Sequence, residues 1–350
     1  MSILQILLFP FAVVYQWITS FRNWLYENGY KQHVSFPLPV ISVGNLTVGG
    51  TGKTPHVEYL IRLLKDHKQL ATLSRGYGRQ TTGFIIADKQ ASAATIGDEP
   101  MQFYQKFSSQ IKVTVGEKRV PAVEQLLRKY PQIELILLDD AFQHRAIKPA
   151  YSILLSDYHR PFYKDFVLPA GRLRESRQGA KRADVIIVSK CPADIRTAER
   201  ETIITQIRKY SQTETPVYFT SIDYGQPVPY HPSAVFNAKV LLVSGLANSA
   251  PLEQYVRSHY QLVHHLDFND HHTYTRQDIV HMQKNLEQYG ADVILTTEKD
   301  YVKLMQAPFA DLVEPLPFYF LPIEVRFLFG EEDAFYKNLW QAITHKKTNY

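Results

Sequence analysis

The sequence predicts an α/β fold: a mostly parallel sheet flanked by helices, a second, smaller α/β domain, and an apolar amino-terminal helix. Three observations carry this. Short apolar runs alternate with stretches of helical periodicity, the pattern of a parallel sheet covered on both faces. The alternation is interrupted once, where Pro216, Pro227, Pro229 and Pro232 cluster among tyrosines, and then restarts. From Met1 to Phe21 there is no Asp, Glu, Lys or Arg, and 15 of the 21 residues are apolar.

The elements follow in order. The apolar start is borderline in length for a spanning helix, is diluted by Gln5, Gln16, Thr19 and Ser20, and contains Pro10. It lacks the basic start and small-residue cleavage site of a secretory signal. Trp17, Trp24 and Arg22 suit a membrane interface, so this stretch reads as a helix lying in or dipping into a membrane; a helix packed in the core is the alternative. Val40–Val43, between Pro39 and Gly44, reads as a buried strand. A glycine-rich loop follows, then Val57, Leu60, Ile61 and Leu64 at helical spacing, with Pro55 in the first turn. Further strands are expected at Leu70–Leu73, Ile111–Val115, Leu135–Leu138, Ile153–Leu155 and Val185–Val188, with a helix over Val120–Tyr130. After the break come strands at Val240–Val243, Leu262–Leu266 and Val293–Leu295. Helices are expected from Leu252, over Thr275–Tyr289 (Thr275 and Asp278 spaced as a capping box) and over Phe335–Ile343. The expected organisation is therefore a membrane-associated helix over 1–30, a main domain over 31–215, a linker over 216–235 and a smaller domain over 236–350.

Composition limits the chemistry. With 350 residues, 45% hydrophobic and 21% charged, the chain can bury two cores and is not a disordered or collagen-like polymer. The single cysteine, Cys191, excludes an intrachain disulfide and a cysteine metal cluster. A net charge of +5 favours anionic partners such as nucleotides or phospholipid headgroups.

The strongest chemical signal is Val48-Gly49-Gly50-Thr51-Gly52-Lys53-Thr54, after a strand and before a helix. Glycines let backbone N–H groups curl around phosphate oxygens, and the helix amino terminus adds positive dipole. In this pattern Lys53 is expected to reach the β- and γ-phosphates and the Thr54 hydroxyl to ligate Mg2+. The strict pattern has glycine where this chain has Thr47, so the loop is a variant of a P-loop, and the sheet reads as P-loop NTPase-type. Such a loop needs a carboxylate at the end of a neighbouring strand, and Leu135–Leu138 runs into Asp139 and Asp140. A guanine-specific Asn-Lys-x-Asp strand end is absent, its place taken by Ser189-Lys190-Cys191-Pro192, which favours ATP. Val48 stands where membrane-cycling partition ATPases carry a signature lysine. Arg75, Arg79, Arg172, Arg174 and Arg177 are candidate phosphate ligands, Arg174 first, while His264, His265, His271 and His272 match no zinc spacing.

Beyond the loop and the Asp139-Asp140 pair, further motifs run through nearly the whole chain in order. They are Ser42-Val43-Gly44-Asn45, Ser74-Arg75-Gly76-Tyr77-Gly78, Gly97-Asp98-Glu99-Pro100, Ala141-Phe142-Gln143-His144-Arg145 and Leu168-Pro169-Ala170-Gly171-Arg172-Leu173-Arg174-Glu175. Phe268, Asp270-His271-His272 and Thr297-Glu298-Lys299-Asp300 follow in the second half. With these motifs the sequence resembles the tetraacyldisaccharide 4′-kinase (lipid A 4′-kinase) family. The resemblance implies transfer of the ATP γ-phosphoryl group to the 4′-hydroxyl of a lipid-linked glucosamine disaccharide 1-phosphate, at the cytoplasmic face of a bacterial inner membrane. It implies Asp98 as general base paired with His271, and Asp139, Asp140, Arg174 and Glu175 near the active centre; Lys53 and Arg174 join the catalytic candidates, and the loop residues Gly49, Gly50, Thr51, Gly52, Lys53 and Thr54 are expected around ATP. Thr54, Asp139, Asp140 and Glu175 are the candidates around Mg2+. Because Asp98 and His271 fall in different domains, domain closure is expected to gate the reaction. The expected partners are the lipid-linked disaccharide and a membrane surface, with no nucleic acid and no obligate protein partner. Two other readings are a membrane-tethered P-loop switch that recruits a partner, and a P-loop kinase of soluble metabolites.

Overall fold

The strands that should be buried on both faces are: Val40–Asn45, Leu70–Ser74 and Leu135–Asp139 are each buried throughout. The computed structural model describes residues 3–230, 236, 239–270, 272–305 and 310–345. Along the chain run α1 (Ile3–Glu27), β1 (Val40–Asn45), α2 (Lys53–Leu64), β2 (Leu70–Ser74), β3 (Ile85–Ile86), α3 (Ala93–Ile96), α4 (Asp98–Phe107), β4 (Lys112–Val115), α5 (Arg119–Lys129), β5 (Leu135–Asp139), β6 (Tyr151–Asp157), β7 (Val185–Ser189), α6 (Thr197–Arg208) and β8 (Val217–Tyr224). There follow β9 (Val228–Pro229), β10 (Lys239–Ser244), α7 (Ala250–His259), β11 (Gln261–Asp267), α8 (Arg276–Gln288), β12 (Val293–Thr297), α9 (Glu298–Leu304), α10 (Ala310–Val313), β13 (Phe318–Leu321), β14 (Ile323–Phe327) and α11 (Glu332–His345).

Among the described residues nine strands form the first sheet, in the order β14-β8-β7-β6-β1-β5-β2-β4-β3. The inner pairings are parallel; β14 and β3 close the edges antiparallel. The chain visits β1 before β2 yet places β5 between them, so the carboxyl ends of β1, β5 and β2 lie side by side at a crevice where such sheets bind ligands. One face carries Val57, Leu60 and Ile61 of α2 with Phe103 of α4 and Phe335 and Leu339 of α11. The other is covered by Val123 and Leu126 of α5 and by Ile203, Ile204 and Ile207 of α6.

Among the described residues the second sheet has five strands, β11-β10-β12-β13-β9, parallel except for β9. Here α8 begins as expected: the Thr275 hydroxyl accepts the Asp278 N–H, and the Asp278 carboxylate accepts the Thr275 N–H.

Two boundaries need correction. The expected linker, 216–235, contains β8, whose first five residues are buried in the first sheet; proline precedes and follows this strand rather than interrupting it. The expected smaller domain, 236–350, ends near Leu321: β14 pairs with β8, and α11 packs on α2, so both belong to the first sheet. The second sheet is thus inserted between β8 and β14. Its two connections touch, the Gly225 N–H donating to the Pro322 carbonyl at 2.8 Å.

The core-helix alternative for the amino terminus does not hold. Along α1 only Ala12 and Thr19 are buried, while Leu4, Leu7, Phe11, Val14, Trp17, Ile18 and Phe21 are exposed. It is the one helix among the described residues long and apolar enough to cross a membrane.

Candidate active site

The phosphate loop takes its shape from its neighbours. Gly49 and Gly52 adopt positive φ, 105° and 77°, which only glycine does without strain. A Cβ at Gly49 or Gly50 would meet nothing within 4 Å, so the chain is uncrowded at both positions. The Asn45 amide donates to the Thr51 hydroxyl at 2.9 Å, and Ser189 Oγ donates to the Thr51 carbonyl at 2.9 Å. The segment 167–175 crosses the loop: Val48 N–H donates to the Arg172 carbonyl, and Arg174 N–H to the Leu46 carbonyl. Thr47 forms an extended bridge with Leu173, which accounts for a threonine where the usual pattern has glycine. Lys53 opens α2, with Thr54 beside it, half-buried.

The two aspartates at the end of β5 diverge. Asp139 is 1% exposed and extends the β5 register, opposite Val43. One oxygen accepts from Ser74 Oγ at 3.3 Å; the other, Oδ1, is buried without a hydrogen-bond partner. Burial, together with the carboxylates of Glu99 and Asp140, pushes its pKa up to about 7 against the pull of Lys53. Asp140 has φ 47°, which swings its side chain away from the strand. It accepts two bonds from the Arg174 guanidinium, both at 3.0 Å, and lies 3.7 Å from Lys53 Nζ. Burial works to raise its pKa, but Lys53 and Arg174 outweigh it and hold the carboxyl below its usual range.

These residues test the fit of Mg2+. A buried carboxylate oxygen without a partner, at the strand end beside the loop, has the hard-oxygen chemistry that Mg2+ takes, usually with waters and substrate phosphates completing the shell. Thr54 and Asp139 fit that role. Asp140 is already committed to Lys53 and Arg174. Glu175, expected among the metal candidates, is corrected: it is fully buried and holds Asn23 Nδ2 at 2.7 Å, Gln143 Nε2 at 3.1 Å and Arg182 at 2.8 Å, which leaves both its oxygens engaged at the foot of α1.

Asp98 is the first residue of α4, after Gly97, whose φ is 94°. A Cβ at Gly97 would strike the Tyr77 carbonyl at 2.9 Å, so only glycine brings α4 this close to the turn after β2. Asp98 Oδ2 lies 3.1 Å from Lys303 Nζ, on α9 of the second sheet's unit. The same ammonium donates to the His272 carbonyl at 3.1 Å, and Asp270 pairs with Lys299 at 2.7 Å. His271 itself lies outside the described residues; the segments on either side of it are tied to α9. A second ion pair joins the units: Lys106 of α4 sits 2.6 Å from both Glu298 of α9 and Glu58 of α2. Burial raises the Glu58 pKa, with Lys106 opposing.

A cationic group borders the aspartates. Burial, then Arg119, Arg22 and Arg75, drives the His144 pKa down to about 4, so its imidazole is neutral. The Nε atoms of Arg22 and Arg119 are buried without partners. Of the other arginines named from the sequence, Arg79 is engaged by Glu117 and the Gly83 carbonyl, and Arg177 by the Asp165 carbonyl and the Tyr210 hydroxyl. Arg172 is exposed and contributes its carbonyl.

Sequence reasoning missed Lys303, Glu99, Lys190 and His56. Lys190 donates to the Gly50 carbonyl and pairs with Asp157 at 2.9 Å. His56 is buried, its Nδ1–H donating to the Gly52 carbonyl at 2.7 Å, its Nε2 3.0 Å from the Thr220 hydroxyl. Its place one turn after Gly52 was the only available signal.

Comparison with known proteins shows the family. The family model described as tetraacyldisaccharide-1-P 4′-kinase matches residues 4–344. A tetraacyldisaccharide 4′-kinase of Bacteroides thetaiotaomicron is 42% identical, across 95% of this chain and 91% of its own. One from Flavobacterium psychrophilum is 42% identical across the full length of both. The crystal structure of LpxK from Aquifex aeolicus in complex with ATP superposes with a TM-score of 0.76 at 28% identity, covering 97% of this chain and all of that one. Nothing found supports a partner-recruiting switch or a kinase of soluble metabolites. With the motifs, the matched length and the ATP-bound structure in agreement, this chain belongs to the tetraacyldisaccharide-1-P 4′-kinase family.

Proposed function

We propose that the chain carries the family's reaction at the crevice between β1, β5 and β2: the 4′-oxygen of a lipid-linked disaccharide 1-phosphate attacks the γ-phosphorus of ATP. The O4′–P bond forms, the bond to the bridging oxygen of the β-phosphate breaks, and ADP leaves. The observation that carries this reading is the convergence of the phosphate loop, Lys53, Asp139, Asp140 and Arg174 at the carboxyl ends of the inner strands, with Glu99, the neighbour of Asp98 at the start of α4, close enough to act on Asp139.

Each residue then has a task. The loop amides and Lys53 hold the phosphates. Thr54 and Asp139 would hold Mg2+, which would supply neutralisation of phosphate charge there. Arg174, oriented by Asp140, offers its remaining donors to the transferred group. Asp98 accepts the proton of the sugar hydroxyl, with Lys303 fixing the carboxylate and His271 as its expected partner. Arg22 and Arg75, beside neutral His144, supply positive charge for the substrate's 1-phosphate, with Arg119 buried behind them and bonded to the Gly116 carbonyl.

The membrane side follows from α1. At about 37 Å it is long enough to span a bilayer. However, Tyr15, Arg22 and Asn23 are bonded to the body, so its second half stays at the protein surface. The exposed apolar face therefore rests in the interface of the leaflet that faces ATP, the cytoplasmic face of the inner membrane. The test is radiolabelled ATP with tetraacyldisaccharide 1-phosphate in mixed micelles. Labelled lipid supports the reading; folded, ATP-binding protein that labels no lipid refutes it.

A further inference from the structure

Glu175 is fully buried, and what it holds is the membrane helix. One stripe of α1, with Tyr15, Thr19, Arg22 and Asn23 at one-turn and two-turn spacings, faces the body while the apolar residues face outward. Two routes lead from this stripe to the phosphates. Asn23 Nδ2 donates to Glu175 at 2.7 Å; Gln143 Nε2 donates to the other Glu175 oxygen at 3.1 Å and to the Asn45 carbonyl at 2.8 Å; the Asn45 side chain donates to Thr51 in the phosphate loop at 2.9 Å. Separately, the Tyr15 hydroxyl donates to the backbone carbonyl of Arg174 at 3.2 Å, and the Arg174 side chain grips Asp140.

We propose that Asn23 and Tyr15 are positioning residues. The helix that meets the lipid surface also holds the Arg174–Glu175 segment against the phosphate loop, so phosphoryl transfer depends on α1 being seated, beyond any anchoring it provides. The physical reason lies in the buried Glu175. Deleting its closest donor leaves a carboxylate oxygen short of a partner, and the segment shifts to recover one. A displacement of about 1 Å at Arg174 is enough to lower turnover strongly. This deepens the lipid-kinase reading and rests on it.

The test uses the full chain with Asn23→Ala and Tyr15→Phe, each checked for folding by circular dichroism. Hydrogen exchange is followed at the Val48 and Arg174 amides, which bond to Arg172 and Leu46 across the loop, with the Ile294 amide of the second sheet as reference. Phosphorylation of the lipid disaccharide is measured at saturating ATP and lipid, alongside partition into phospholipid vesicles. The expected result for Asn23→Ala is exchange at Val48 and Arg174 at least tenfold faster, Ile294 unchanged, kcat lower by about ten- to a hundredfold, and vesicle partition unaltered. Tyr15→Phe shows the same pattern more weakly and serves alone if Asn23→Ala does not fold. Unchanged exchange and kcat, with loss confined to vesicle partition or the lipid KM, overturns the proposal and leaves α1 an anchor. A wild-type chain that labels no lipid refutes the lipid-kinase reading instead, and the exchange rates still decide whether α1 holds this segment.

Discussion

Asp139 offers the sharpest test of the site's electrostatics, through Asp139→Asn. The carboxyl is 1% exposed, and its pKa is lifted from 3.8 to about 7 by burial and then by Glu99 and Asp140. The metal-free folded protein holds this proton up to about pH 7, whereas the unfolded chain releases it near pH 4. The group's contribution to stability is therefore fully present below about pH 4 and is lost as pH rises through about 7. Each pH unit across that window is tenfold in an equilibrium constant, so the metal-free protein gives up on the order of 4 kcal/mol by pH 8. Asparagine carries no charge and escapes this loss. Urea unfolding of metal-free protein, followed by circular dichroism at pH 5 and pH 8, is expected to show the wild type weakening by a few kcal/mol more than the variant. Mg2+ with ATP narrows the gap at pH 8, because binding to the folded state alone stabilises it. The same variant loses phosphoryl transfer by a hundredfold or more. Equal pH dependence in the two proteins, or a variant that keeps full activity, refutes the reasoning.

Three other outcomes are expected. Arg174→Ala lowers kcat by about a hundred- to a thousandfold, and Arg174→Lys recovers only part of it because the planar fork on Asp140 is lost; steady-state kinetics at saturating lipid measure this. Asp98→Ala and His271→Ala lower lipid phosphorylation by about a hundredfold or more while nucleotide affinity, read by calorimetry, stays within a few fold. Lys106→Met leaves Glu58 and Glu298 facing each other without their shared ammonium. It costs about 3 kcal/mol in urea unfolding at pH 8, and less at pH 5, where a carboxyl can take up a proton.

What the sequence made legible follows distance along the chain. The phosphate loop, its flanking strand and helix, and the carboxylates at the end of β5 are each a local pattern, and each lies where its pattern predicts. So does the Thr275–Asp278 capping box. Helix α4 is not among the expected elements; Gly97 precedes it and Asp98-Glu99-Pro100 start it, with acidic side chains in the first turn and proline where no N–H is required. The return of β14 and α11 to the first sheet is a pairing between distant segments, which periodicity does not encode. The difference between Asp139 and Asp140 comes from one backbone angle and from Arg174, brought over by the segment that crosses the loop. The sharing of Lys303 between Asp98 and the segment before α8 exists only once the two sheets are docked.

The most direct measurement of the central claim is 31P nuclear magnetic resonance of the lipid product made from ATP and tetraacyldisaccharide 1-phosphate. The account predicts one new phosphate monoester, on the 4′-oxygen, with the original 1-phosphate intact and one ADP released for each lipid converted. Phosphate on another hydroxyl, a diphosphate at position 1, or ATP consumed with only inorganic phosphate released would contradict it.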